Sequence, residues 1–417
     1  MRTNIWIMNH YAGDMYFNKG GRHYWFAKYL RREGYKPVVF CCNAKHNASG
    51  YFINTDKLWV EQIAEEISTP WIFVQARAYT SNGKDRVLNM IDFYRNVKRA
   101  AKEYAALYGK PDVIFASSVH PLTLVAGIQL SKHFGVKCIC EVRDLWPESI
   151  VVYSHRIKKS NPLIRILYRG ERWIYKKADA LIFTMEGAYD YIKEQGWEKD
   201  IPRSKVHYIN NGVDLEAFQY NRDHFQIYDQ DLQNPDIFKI VYTGSIRLVN
   251  NLGLLLDAAK QVTDPRVRFL IWGDGDERAK LEQRVQDENI TNVVFKGRVG
   301  KKYIPYITNQ ANANLMHGGD LAKALHRFGT SPNKLFDYFA SGKPILMDQV
   351  PKYNPVEQFH GGICVDGTAN LPYAVEQCLA LPPEELSHMK ENAYKAAHRF
   401  DFRNLTQDLI DIIEKES

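Results

Sequence analysis

Lys334 and Asp337 stand three residues apart in the run Ser331-Pro-Asn-Lys-Leu-Phe-Asp-Tyr-Phe-Ala-Ser-Gly-Lys-Pro-Ile. On a helix that spacing places an ammonium and a carboxylate on one face. The run is punctuated as a complete helix: Ser331 suits the N-cap, Pro332 the first helical position and Gly342 the left-handed C-cap, while Pro344 forbids continuation. The start of such a helix offers free N–H groups and the positive end of its dipole, so Ser331, Pro332, Asn333 and Lys334 read together as an anion site. A plain surface helix with one ion pair has the same signature, so the run is weighed with its surroundings.

Other loops carry compatible chemistry. Gly244-Ser-Ile-Arg247 follows an apolar strand candidate, and an Arg there can grip a diphosphate bidentately and stabilise a leaving group's growing charge; a solvated loop Arg is the plainer alternative. Gly20-Gly21 opens a helix, and residues without side chains let a phosphate or sugar approach the backbone, although neither a Walker A sequence nor the full dinucleotide fingerprint is present. Gly273-Asp-Gly-Asp276 has the Asp-x-Asp spacing that can hold a divalent ion with a diphosphate. The same spacing at Asp229-Gln-Asp231 shows how cheaply it arises, so a polar strand-to-helix turn without metal is expected.

Glu141-Val-Arg-Asp-Leu-Trp-Pro-Glu148 places Glu141, Arg143, Asp144 and Glu148 at the end of a buried strand, where charges are paired or functional. His120, at the tip of another strand, is a catalytic candidate or a structural histidine. Residues 156–177 hold eight Lys or Arg against the single acid Glu171, interleaved with Leu, Ile and Trp. That pattern fits either an anionic membrane surface or a core-packed helix with a solvated basic face.

These residues need a framework with many strand ends. With 417 residues, 45% hydrophobic and 25% charged, the chain is expected to form two domains of an ordinary globular protein. Its formal net charge of +7 is too weak to imply nucleic acid. Short apolar strands at 5–9, 37–42, 112–117, 136–142, 180–184 and 206–210 alternate with helix candidates at 21–32, 123–133 and 187–195. A second series follows at 239–243, 267–272, 293–296, 313–316, 344–347 and 362–365. Alternation of this kind is the pattern of parallel sheets covered on both faces, in which ligands bind beyond the carboxyl ends of the strands. The expected domains are 1–218 and 237–395, joined by a polar linker at 219–236, with a helix over 396–417 packing back on the first domain. The six cysteines include no C-x-x-C pair and read as buried free thiols. The N-terminus runs straight into a strand without a leader-like apolar region, and no apolar stretch is long enough to span a membrane. The expected location is cytoplasmic, peripheral on the inner face of the cell membrane.

Taken in order, Asn211-Gly-Val-Asp214, Val241-Tyr-Thr-Gly-Ser245, Ile271-Trp-Gly-Asp-Gly275, Val294-Phe-Lys-Gly-Arg-Val299 and Ser331–Ile345 resemble the retaining, nucleotide-sugar-dependent glycosyltransferases of family 4, which have the GT-B fold. Arg143-Asp-Leu-Trp-Pro-Glu-Ser149 together with Ser331-Pro-Asn-Lys334 is most similar to the WbuB-like branch, bacterial transferases that build surface polysaccharides. The resemblance implies an α/β architecture of two Rossmann-like domains facing each other across a cleft. The donor diphosphate would lie on the second domain and the acceptor mostly on the first, where Arg143, Asp144 and Glu148 are its candidate contacts. The family's second acid falls on Asp337, as a ribose contact, and its first on Gly329, where there is no carboxylate. Arg247 matches the diphosphate Arg, whose usual Lys partner falls near Asn250 or Asn251, leaving Lys334 to supply that charge. Gly297, Arg298 and Val299 resemble the turn that reads the base; Gly244, Ser245 and Gly273 border the donor, and Gly20 and Gly21 the diphosphate.

The resulting expectation is transfer of a sugar, an N-acetylated amino or deoxyamino sugar among the candidates, from a UDP-linked donor to a polyprenyl-linked or growing glycan. Neither cofactor nor metal is expected. A sugar-nucleotide epimerase and a non-catalytic carbohydrate-binding protein are the alternatives.

Overall fold

Runs of Val, Ile, Phe and Cys with no polar alternation are stable as strands only when both faces are covered, and here they form two sheets dominated by parallel pairing. The computed structural model describes residues 3–46, 48–81, 83–118, 120–154, 157–318 and 323–416. Arg156, the first residue of the basic segment, lies outside them.

The chain divides into two units, Met1–Asn210 with Phe402–Ser417, and Asn211–Asp401. The first is built on β1 (Asn4–Met8), β2 (Lys36–Cys42), β3 (Trp59–Ala64), β4 (Thr69–Val74), β5 (Val113–Ser117), β6 (Lys137–Val142), β7 (Ala180–Phe183) and β8 (Val206–Tyr208). Their order in the sheet is β3-β4-β2-β1-β5-β6-β7-β8, and only β3 runs antiparallel to its neighbour. Trp6, Phe40, Phe73 and Phe115 are fully buried in its core. The pair β3 and β4 has no counterpart among the expected strands: β3 is only half-covered and mixes Trp, Glu and Gln without a clean apolar run, whereas β4 is a buried Trp-Ile-Phe-Val run with the full signal of a strand.

The second unit is built on β9 (Phe238–Thr243), β10 (Val267–Trp272), β11 (Val293–Gly297), β12 (Ala313–Met316), β13 (Ile345–Met347) and β14 (Gly362–Cys364). The order β11-β10-β9-β12-β13-β14 is parallel throughout.

Three expected boundaries differ. Residues 219–236 are not a linker: they continue the helix Leu215–His224, capped by Asp214, and include the helix Gln230–Gln233, capped by Asp229. Leu215, Phe218 and Leu232 bury their side chains there, enough apolar anchoring to hold an otherwise polar segment against the second unit. Asp229 and Asp231 both pair with Lys296, at 2.8 and 2.5 Å. The division instead falls at Asn210/Asn211 and Asp401/Phe402. The expected helix over 396–417 is two: Pro383–Arg399 ends in the second unit, and Phe402–Glu416 belongs to the first. Phe402, Leu405, Leu409 and Ile413 of the latter are buried, and Phe402 meets Phe26 of the helix Arg22–Arg32 edge-on at 5.4 Å.

Candidate active site

In the second sheet β9 lies between β10 and β12, so the chain leaves β9 in one direction and later returns on its other side. Loops diverge at such a switch point and open a crevice beyond the strand ends. Gly244 follows β9, Gly273 follows β10, His317 follows β12 and Asp348 follows β13. The first two loops are packed backbone on backbone. The Gly244 amide donates to the Trp272 carbonyl at 3.0 Å, and that of Ile246 to Asp274 at 3.0 Å. A Cβ on Gly273 would stand 1.8 Å from the Gly244 carbonyl oxygen, and one on Gly275 2.1 Å from that of Ile246. Only residues without side chains allow this approach.

The helix Asn333–Ser341 is fixed over the crevice by Tyr338, whose hydroxyl accepts the Thr243 amide hydrogen at 2.9 Å, at the last residue of β9. One turn earlier on the same face, Lys334 comes over the start of the Gly244 loop. Its Nζ lies 3.9 Å from the centre of the Tyr242 ring and 3.1 Å from where a Gly244 Cβ would be. Burial pushes the Lys334 ammonium down to about 7, against the attraction of Asp348. Burial likewise raises Asp337 to about 7, with Lys301 opposing. No hydrogen bond or ion pair to either side chain occurs among the described residues.

The capping expectation is corrected. Pro332, not Ser331, occupies the N-cap position, the helix begins at Asn333, and no side chain caps it. The Ser331 hydroxyl is engaged elsewhere: its Oγ accepts the Asn211 amide hydrogen at 3.2 Å, while Asn211 Nδ2 donates to the Ser331 carbonyl at 2.7 Å. Gly342 takes the left-handed C-cap, φ 64°.

A buried cluster that sequence reasoning missed backs this site. Asp348 accepts from Thr368 Oγ1 at 2.8 Å and from the Gly318 amide at 3.1 Å, and its other bond is to His317 Nδ1. His317 Nε2 donates to the Asn251 carbonyl at 3.2 Å. Asn250 closes the same loop by donating to the Ser245 carbonyl and hydroxyl, at 2.7 and 2.8 Å. Arg247 sits exposed on this braced loop and lines an open groove with Asn251, Glu277 and Arg284. Arg298 is exposed and Val299 half-buried after Gly297, whose φ of 80° marks the turn at the end of β11.

In the first unit the switch point lies between β1 and β5. His10 and His120 meet there, Nδ1 to Nε2 at 2.7 Å, both buried. Desolvation, with Arg86 adding to it, drives His120 down to about 3, so the ring is neutral. His120 lines a cavity of about 20 Å3 with Ser118, Asp144, Trp146 and Glu171, room for one water molecule.

Beside it is a second cluster without a sequence signal. Glu141 accepts from Arg22 Nε at 2.7 Å, His23 Nε2 at 3.0 Å and Ser117 Oγ at 2.6 Å. Asn9 Oδ1 accepts from the Tyr11 amide, so its Nδ2 donates to His23 Nδ1, which leaves the His23 proton on Nε2 for Glu141. Although burial opposes ionisation, Arg22 and His23 hold Glu141 well below the usual carboxylate range. Arg22 also donates to the carbonyls of Asn210, at 2.5 Å, and Ile209, at 2.9 Å, clamping the end of the unit's first segment. Of the expected acceptor contacts, Glu148 is buried and engaged by Lys159 at 2.7 Å and by Tyr168, whereas Asp144 is exposed and Arg143 partly so. Gly21, φ 104°, precedes the helix Arg22–Arg32, and Gly20 packs against Trp25.

Both units match described families. Residues 24–217 match Glycosyltransferase Family 4, and residues 237–380 match Glycosyl transferases group 1. Each unit is thus similar to a glycosyltransferase family, and the two matches together span most of the chain. The chain is 23% identical over 222 residues to TuaH of Bacillus subtilis, assigned to teichuronic acid biosynthesis, covering 53% of this chain and 52% of TuaH. It is 26% identical over 198 residues to WcaI of Escherichia coli, assigned to colanic acid biosynthesis, covering 44% and 46%. The chain thus spans about half the length of the curated relatives it matches. Among solved structures it is similar to a sucrose-phosphate synthase from Thermosynechococcus elongatus, with a TM-score of 0.70, 18% identity and 99% of each chain covered. Anabaena HepE in complex with UDP and glucose gives a TM-score of 0.65 at 15% identity, covering 99% and 100%. These likenesses establish the GT-B fold.

Proposed function

We propose that this chain transfers a sugar from a UDP-linked donor to a lipid-linked or growing glycan, with retention at the anomeric carbon, in the biosynthesis of a cell-surface polysaccharide. Its donor set includes N-acetylated amino and deoxyamino sugars, and its place is in the WbuB-like branch. The observation that carries this reading is Lys334, a partly desolvated cation without a bonded acid, over a glycine-lined crevice at the first turn of an uncapped helix. Such an arrangement lacks an anion, and a diphosphate supplies it. Complexes of HepE with UDP and with UDP-glucose, and the polysaccharide names of TuaH and WcaI, support the same reading.

In the proposed reaction the bond from C1 of the sugar to the diphosphate oxygen breaks, and a bond from C1 to the acceptor hydroxyl forms on the same face. The acceptor's proton passes to the departing phosphate oxygen. Lys334, the helix amides and Arg247 stabilise the charge that grows on the diphosphate. Asp337 accepts a ribose hydroxyl, and Arg298 and Val299 border the base. His120 offers a substrate only its Nδ1, since Nε2 is held by His10.

A panel of nucleotide sugars is screened for thermal stabilisation, and the best binder is then assayed with membrane-derived acceptors. Lys334→Ala and Arg247→Ala should each cut turnover at least tenfold. Near-normal rates in both refute these roles, and conversion of the nucleotide sugar without acceptor would identify an epimerase instead.

A further inference from the structure

The helix Pro162–Lys177 presents three distinct faces. At about 100° per residue, Ile164, Leu167, Tyr168, Glu171, Ile174 and Tyr175 occupy roughly 120° and turn into the first unit. Leu163, Ile166, Gly170, Trp173 and Lys177 form a second stripe of roughly 80°, and Arg165, Arg169, Arg172 and Lys176 a third of roughly 60° between the other two. The second stripe is not covered: Leu163 is 65% exposed, Ile166 59% and Trp173 41%. Large apolar side chains aligned in this way on a surface mark a contact.

The segment's single acid is turned away from that surface. Glu171 is buried, and Tyr175 and Tyr191 donate to its carboxyl at 2.7 and 2.8 Å. Arg172 and Lys176 share Asp200, at 2.5 and 2.9 Å, which offsets one of their two charges. Arg165, Arg169 and Lys177 are exposed and have no acid partner among the described residues. The outward surface therefore combines an apolar stripe with uncompensated positive charge.

We propose that this helix docks the first unit on an anionic lipid bilayer, with Leu163, Ile166 and Trp173 entering the interface and Arg165, Arg169 and Lys177 meeting the headgroups. Trp is suited to the depth where hydrocarbon meets headgroup, and Arg can lay its stem on the apolar surface while its guanidinium reaches phosphate. A second copy of the chain is a poorer occupant. A two-fold contact through the stripe would gather the unpaired cations of both copies at one rim if the helices ran antiparallel, and leave them at opposite rims if parallel; the stripe itself offers no acid to meet them in either case. The inference is independent of sugar transfer, and its test needs no donor.

The full chain is sedimented with phosphatidylglycerol–phosphatidylcholine vesicles and with pure phosphatidylcholine vesicles. Binding is expected to the first and to weaken with salt. Arg165→Gln with Arg169→Gln should reduce affinity about 25-fold, at roughly fivefold per cation. Leu163→Ser, Ile166→Ser and Trp173→Ser together should reduce it on the order of a hundredfold. Because these side chains are exposed, melting temperatures should stay close to wild type; should the triple variant misfold, the arginine pair and the salt titration decide. Absent binding, equal binding to both vesicle types, or unchanged binding by the variants overturns the proposal. So does a triple variant that alters only sedimentation-equilibrium mass, which would assign the stripe to a second copy.

Discussion

Exchanging Lys334 for methionine should have two opposite consequences in one preparation. Methionine keeps much of the length of the lysine stem but has no ammonium to desolvate. Burial lowers the Lys334 ammonium from 10.5 to about 7. For a fully enclosed group that difference corresponds to roughly 5 kcal/mol, and partial exposure of Lys334 screens it to about 1–2 kcal/mol. The folded-state value lies below the unfolded one, so the penalty is fully present below about pH 7 and disappears as pH rises toward 10.5. Lys334→Met should therefore be more stable than wild type at pH 6 by about 1–2 kcal/mol, a rise of roughly 2–8 °C in Tm for a unit of this size. The advantage should shrink above pH 7. Binding of a UDP-sugar should move the other way, losing a charge-assisted bond of about 1.5–3 kcal/mol, or roughly 10- to 150-fold in Kd. Scanning calorimetry from pH 6 to 9 and titration calorimetry at pH 6.5 read the two effects. A variant less stable than wild type at pH 6, or one that binds the donor with wild-type affinity, refutes the reasoning.

Asp337→Asn should complement it: burial raises this carboxyl to about 7, so its contribution to stability is lost between about pH 4 and 7. Denaturant titrations at pH 4.5 and 7.5 should show wild type losing about 1–2 kcal/mol more than the variant, and equal losses would argue against a desolvated carboxylate. His317→Ala takes one of three partners from buried Asp348, leaving Thr368 and the Gly318 amide, and releases the Asn251 carbonyl, so unfolding should be easier by about 1–3 kcal/mol, with donor affinity reduced through the loop that bears Arg247. Arg22→Ala should cost about 3–5 kcal/mol by stranding Glu141, measured by urea unfolding. Gly273→Ala should fail to assemble the β9 and β10 loops, read as loss of UDP-sugar binding, because its Cβ would overlap the Gly244 carbonyl.

The α/β alternation was legible because parallel strands are continuous apolar runs and their covering helices are amphipathic. The edge strand β3 was not, since with one wet face it needs no such run; β4, a buried run of Trp, Ile, Phe and Val between two strands, carried the signal without being placed from it. The body and C-cap of the helix Asn333–Ser341 were legible because they depend on residues within one segment. Its N-cap was not, because Asn211, 120 residues away, claims the Ser331 hydroxyl. The Arg22–Glu141 clamp and the His317–Asp348 pair join residues 119 and 31 positions apart, and neither spacing has a local signature.

The sequence by itself determined which segments become strands and helices, the glycines that permit close backbone approach, and the presence of Lys334 and Asp337 on one helical face. Those are consequences of local sterics, periodicity and side-chain chemistry. Tertiary structure decided that β9 and β12 lie side by side and open a crevice there, that Tyr338 holds the helix over it, and that burial moves both Lys334 and Asp337 to about 7. Strand order and desolvation arise from contacts between distant segments, so no local pattern contains them.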